Sequence, residues 1–191
     1  MRQEILQFRQ HDEGLCGLYT IVNALAILFP EHMTHLKGTV LVERLAEAIP
    51  GDFGSVIREG TDRGQMDLML AAAQRWTKEQ HWPEWTCRPM HPEHGQKAQA
   101  FWDRIADEIN VAKGRGGKKK GRSKMRAALI GFGDYHREST YYEPHWTCIE
   151  RITPLMLFLR DSDEYRRIPR GETGIRPEDG WEIEDCFIFE R

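Results

Sequence analysis

Cys16, His145, Asp161 and Gln10 are side chains of the types that together break amide bonds. A cysteine supplies a sulfur nucleophile, a histidine takes its proton, a carboxylate orients the imidazole, and a side-chain amide donates to the oxygen that turns negative. In Gln10-His11-Asp12-Glu13-Gly14-Leu15-Cys16-Gly17 the cysteine opens an apolar stretch that runs to Leu28. It is therefore expected at the start of a buried helix, where unpaired N–H groups and the helix dipole favour negative charge. An inert, packed thiol is the plain alternative for the same position. Gln10, six residues earlier, lies just outside that helix and is expected to share an oxyanion hole with the Cys16 backbone N–H.

His145 follows Pro144 and begins the apolar segment His145-Trp146-Thr147-Cys148-Ile149. Asp161 lies sixteen residues on, closing Leu155-Met156-Leu157-Phe158-Leu159-Arg160-Asp161. If Pro154 marks a tight turn, the two segments pair as a hairpin whose outer ends face each other, with Asp161 alongside His145.

The elements that must position these groups fall into two textures. Leu15 to Leu28 is apolar nearly all round and reads as a central buried helix ending at Phe29-Pro30. Further helices are expected over Val40 to Ile49, Gln65 to Gln80 and Gln96 to Ala112, where apolar positions recur at helical spacing. A short strand or extended lead-in is expected over Glu4 to Arg9, and a turn at Asp12-Glu13-Gly14. After residue 124 come short apolar segments, Ala127 to Phe132, His145 to Ile152, Leu155 to Leu159 and Cys186 to Phe189, read as strands of an antiparallel sheet. Helices first and strands later is an α+β order, with the helices expected on one side of the sheet.

Composition sets the outer limits. The 191 residues suit a single domain, 1–191, and 40% hydrophobic residues with six Trp, eight Phe and five Tyr exclude a wholly disordered chain. The most apolar stretch, Leu18 to Phe29, contains Asn23 and is well short of the roughly 20 residues that cross a bilayer. No membrane role is expected, and with no visible secretory signal the expected setting is cytoplasmic, or that of a delivered effector. The four cysteines form no CxxC pair and are expected as free thiols. Net charge is −3, yet Lys113 to Lys124 carries seven positive charges and four glycines, which reads as an exposed basic loop.

At the residues named first, the sequence resembles the papain-like cysteine peptidases, most of all the bacteriocin-leader (double-glycine) peptidases attached to peptide exporters. The resemblance rests on Gln10 with five residues before Cys16, Gly17 after it, the His145-Trp146 pair, and the acid sixteen residues beyond. The Josephin deubiquitinases are similar more loosely. It implies a papain-like α+β fold, with a helix bearing the cysteine packed on a C-terminal antiparallel sheet bearing histidine and aspartate. It also implies Cys16 as nucleophile, His145 as base, Asp161 as orienter and Gln10 in the oxyanion hole, with Gly17 and Trp146 bordering the substrate. The expected activity is cleavage of a peptide or isopeptide bond through an acyl-thioester, with a protein or peptide as substrate and no cofactor or metal. Deamidation or transglutamination of glutamine side chains uses the same intermediate, and a non-catalytic peptide-binding module on the same fold is the alternative from another class.

Other features carry less. Cys148 falls on the opposite side of a strand from His145 and is expected to be packed; Cys87 and Cys186 also read as core-filling strand positions. His81, Cys87, His91 and His94 have no metal-ligand spacing, and Pro92 works against a helix presenting two imidazoles. The basic run lacks aromatic residues for stacking, so nucleic acid is not an expected partner, while steering of acidic protein substrates or partners is the other use for its charge. With no propeptide-like extension, control by a separate regulatory protein is expected instead of self-processing.

Overall fold

The computed structural model describes residues 15–51, 54, 56–57, 60–110, 125–135, 142–160, 166–174 and 181–191. The lead-in over Glu4 to Arg9, the turn at 12–14, Gln10, the basic run 113–124 and Asp161 lie outside them. Helix α1 spans Cys16–Leu28, α2 His35–Glu47, α3 Arg63–Glu79 and α4 Ala98–Asn110. Strands β1 (Thr86–Pro89), β2 (Arg126–Tyr135), β3 (Tyr142–Ile152), β4 (Met156–Arg160), β5 (Arg167–Pro169), β6 (Thr173–Gly174) and β7 (Trp181–Glu190) form one sheet in the order β1-β7-β2-β3-β4-β5. Its pairs are antiparallel except that the two-residue β6 runs parallel to β7. The class is thus α+β. No helix among the described residues is long and apolar enough to cross a membrane.

The sheet is covered on both faces. Helices α1, α2 and α3 share a core with Ala127, Leu129, Trp146, Cys148, Phe187 and Phe189. Phe101, Trp102, Ile105 and Ile109 of α4 pack with Ala128, Ile130, Phe132, Ile149, Cys186 and Ile188 from the other side of the same strands. The expectation that helices gather on one side is corrected here: α4 takes the opposite face. That is why β2 and β7 read as continuous apolar runs without alternation, since successive side chains enter different cores.

Helix α1 is buried at every position but Tyr19, as its lack of a polar stripe requires. Its N-cap, Leu15, makes no side-chain capping bond. Helix α2 begins five residues before the sequence expectation, because Thr34 accepts from the Lys37 N–H at 3.2 Å and starts the helix on a turn with no apolar face. Helix α3 starts from a capping box, Asp62 Oδ1 accepting from the Gln65 N–H at 2.8 Å and Gln65 Oε1 from the Asp62 N–H at 2.9 Å. Strands β3 and β4 do form a hairpin through Pro154, closed by the Thr153 N–H on the Met156 carbonyl at 2.9 Å. Buried Arg170 ties α4 to that hairpin, donating to Gln99 O at 2.7 Å, Asp103 Oδ1 at 2.8 Å and Thr153 O at 3.2 Å.

Candidate active site

The first turn of α1 is hydrogen-bonded to β3 at Trp146. Cys16 is 3% exposed, and its sulfur accepts a hydrogen bond from the Trp146 backbone N–H at 3.5 Å. One helical turn later, the Thr20 hydroxyl donates to the Trp146 carbonyl at 2.8 Å. Both main-chain polar groups of Trp146 are therefore taken by α1. Among the described residues, the pairing of β4 with β3 runs to Cys148, opposite Arg160.

The indole fixes the same residue from a third direction. It packs over Gly131, where an added Cβ would lie 3.0 Å from the ring, and donates its N–H to the Thr61 carbonyl at 2.7 Å. Thr61 leans in turn on Gly17, so closely that a Cβ on Gly17 would sit 2.7 Å from its Oγ1. Gly17 is thus required for close approach to Thr61. Trp146 is 4% exposed and serves as the peg on which α1, β3 and the approach to α3 are hung.

Half-buried His145 is the residue before that peg. Three covalent bonds, a span of about 3 Å, separate its Cβ from the Trp146 nitrogen. With the sulfur 3.5 Å from that nitrogen, the His145 Cβ lies within about 6.5 Å of Cys16 Sγ. Strand alternation sends the imidazole off the opposite face from the Trp146 indole, beside its register partner Phe132. Phe132 belongs to the core on the α4 side, whereas Cys16 lies with Trp146 in the core on the α1 side.

Just beyond Thr61, Arg63 opens α3 with an ion pair to Asp185 of β7, and its guanidinium lies 4.3 Å over the Phe187 ring. Thr61, Arg63 and Asp185 were not singled out by sequence reasoning. The Asp62-Arg63-Gly64-Gln65 capping signature marks where α3 begins, but nothing local tells that the residue before it touches Gly17 and Trp146.

The other thiols are held differently. Cys148 and Cys186 are fully buried in the two cores. Burial, with the Asp67 charge adding, pushes the partly buried Cys87 thiol up to about 12, and burial likewise pushes Cys186 upward. Among the described residues no three metal-capable side chains converge, His81, Cys87, His91 and His94 included. No protein-family model matches the chain, and no curated protein matches it.

Proposed function

We propose that this chain is a papain-like thiol hydrolase that cleaves a peptide or isopeptide bond in a protein or peptide. Cys16 is the nucleophile, His145 the base, Asp161 its orienter and Gln10 the side-chain donor to the oxyanion. The observation that supports this most directly is the hydrogen bond from the Trp146 N–H to Cys16 Sγ. It joins residues 130 positions apart and ties the sulfur that opens a helix to the backbone of the residue after His145.

In the reaction, His145 takes the Cys16 proton and the sulfur forms a bond to the amide carbon. The carbonyl oxygen becomes negative and is held by the Cys16 N–H and the Gln10 amide. The imidazolium then gives its proton to the leaving nitrogen, the C–N bond breaks, and an acyl-thioester remains. Water, deprotonated by His145, adds to that thioester, and the acid and the thiol are released. An oxyanion donor of the Gln10 kind is typically worth roughly 3 to 4 kcal/mol in the transition state.

Brief alkylation by iodoacetamide at pH 6, read residue by residue by mass spectrometry, tests this reading. Cys16 should react at least tenfold faster than Cys87, Cys148 and Cys186, and His145→Ala should abolish the difference. Equal rates at the four thiols would overturn it.

A further inference from the structure

The Thr61 hydroxyl is an unexplained polar group. Thr61 is 3% exposed, and its Oγ1 is buried with no hydrogen-bond partner among the described residues. A buried hydroxyl without a partner is destabilising, and a methyl of the same shape would be tolerated at least as well. The chain nevertheless keeps oxygen here, 2.7 Å from the point where a Gly17 Cβ would be, against the turn that carries Cys16. The neighbouring Thr61 carbonyl is already committed to the Trp146 indole, so the side chain is not free to drift. The turn it faces is the first of α1. Its N-cap, Leu15, offers no side-chain acceptor, and the first backbone N–H bonded to the Leu15 carbonyl is that of Leu18. N–H groups at the start of a helix are donors, as is a hydroxyl proton, and such donors suit an anion.

Resting on the thiol-hydrolase reading, we infer that Thr61 is a positioning residue for Cys16. Its hydroxyl supplies a further donor to the negative charge that forms at the first turn of α1 when the sulfur gives up its proton. No bond to Thr61 forms or breaks; its proton stays on Oγ1 and only its hydrogen bond is gained.

Two substitutions separate oxygen from shape. Thr61→Val keeps the branched shape that packs on Gly17 and removes the hydroxyl; Thr61→Ser keeps the hydroxyl and removes the methyl. Each is measured by iodoacetamide alkylation of Cys16 at pH 6, with Cys148 in the same sample as the internal standard, and by thermal unfolding. The inference expects Thr61→Val to slow Cys16 about tenfold, the lower end for a lost hydrogen bond to charge, without lowering the melting temperature. Thr61→Ser should retain the wild-type rate within about threefold. An unchanged rate in Thr61→Val, or an equal loss in both variants, would overturn it, the second showing that shape and not oxygen matters. Failure is separable from failure of the hydrolase reading, which shows in the wild-type protein as equal rates at Cys16 and Cys148.

Discussion

Gly17→Ala tests whether the first turn of α1 is held as closely as its contacts indicate. The added Cβ would meet Thr61 Oγ1 at 2.7 Å, Cβ at 2.8 Å and Cγ2 at 3.0 Å. Contacts that short require movement, and Thr61 has little room to give. Its carbonyl holds the Trp146 indole at 2.7 Å, Asp62 beside it is locked into the α3 capping box, and Gly60 before it has φ +79° with its N–H on the Val56 carbonyl at 2.9 Å. Overpacking at a fixed site costs about 1 to 3 kcal/mol, against a gain of at most about 1 kcal/mol from exchanging glycine for alanine in a helix. Contacts under 3.0 Å put the cost in the upper half of that range, so the net loss is about 1 to 2 kcal/mol, which for a chain of this size is about 2 to 8 °C in melting temperature. Calorimetry or circular dichroism reads the shift. Thr61→Gly in the same chain removes the clashing atoms and should restore part of the loss, giving a coupling above about 0.5 kcal/mol in the double-mutant cycle. A Gly17→Ala protein as stable as wild type, or one whose defect Thr61→Gly does not relieve, would refute the proposed packing.

Thr20→Val leaves the buried Trp146 carbonyl without its donor and should cost about 1 to 3 kcal/mol by urea unfolding while slowing Cys16 alkylation; a change below about 0.5 kcal/mol would contradict the docking of α1 on β3. Since the folded Cys87 thiol is pushed up to about 12, it stays protonated while an unfolded one ionises, so stability should fall as pH rises from 9 toward 12, and Cys87→Ala should flatten that slope relative to wild type. Burial works against the Glu31 carboxylate, but its own backbone hydrogen bond and the Arg191 guanidinium at 2.5 Å outweigh that and hold it below the usual carboxylate range. Stability from this group is present above the unfolded value and lost as pH falls through the folded one. Arg191→Ala, which also removes a 2.8 Å bond to the Leu28 carbonyl, should therefore cost about 1 to 2 kcal/mol at pH 7 and less at pH 3, as followed by melting temperature.

How far the sequence discloses this fold depends on how local each cause is. Helix α1 is legible because Leu-Tyr-Thr-Ile-Val-Asn-Ala-Leu-Ala-Ile-Leu has no polar stripe, and a helix of that kind must be central. The β3–β4 hairpin is legible for a similar reason, two apolar runs meeting at Thr153-Pro154. The first half of β7 is not: Trp181-Glu182-Ile183-Glu184 lacks the apolar run that marks Cys186 to Phe189, and it joins the sheet through β2, with a register shift at Gly131 and Phe132. The three-residue β5 and two-residue β6 are too short to leave a pattern. The side taken by α4 is a tertiary fact, visible only in hindsight from the missing alternation in β2 and β7. At the candidate site, the place of Cys16 at the start of α1 was legible from the apolar run it opens. Thr61 was not, since the atoms that give it meaning belong to residues 17 and 146.

Cys16 and Cys148 are both nearly inaccessible thiols on the same side of the sheet, yet the contacts around them differ in kind. Cys148 belongs to β3 itself, its backbone taken up in the ladder between Leu129 and Arg160. Cys16 comes from another element and takes the main-chain N–H of Trp146 in that strand. Around it the Thr20–Trp146, Trp146–Thr61 and Thr61–Gly17 contacts close a ring that passes through α1, β3 and the start of α3. Apolar packing alone would require none of the three hydrogen bonds in it, because Leu18, Ile21 and Val22 already bury α1 in the core. What the ring adds is position: it fixes the sulfur relative to Trp146, the strand residue after His145, which burial of α1 by apolar contacts does not do.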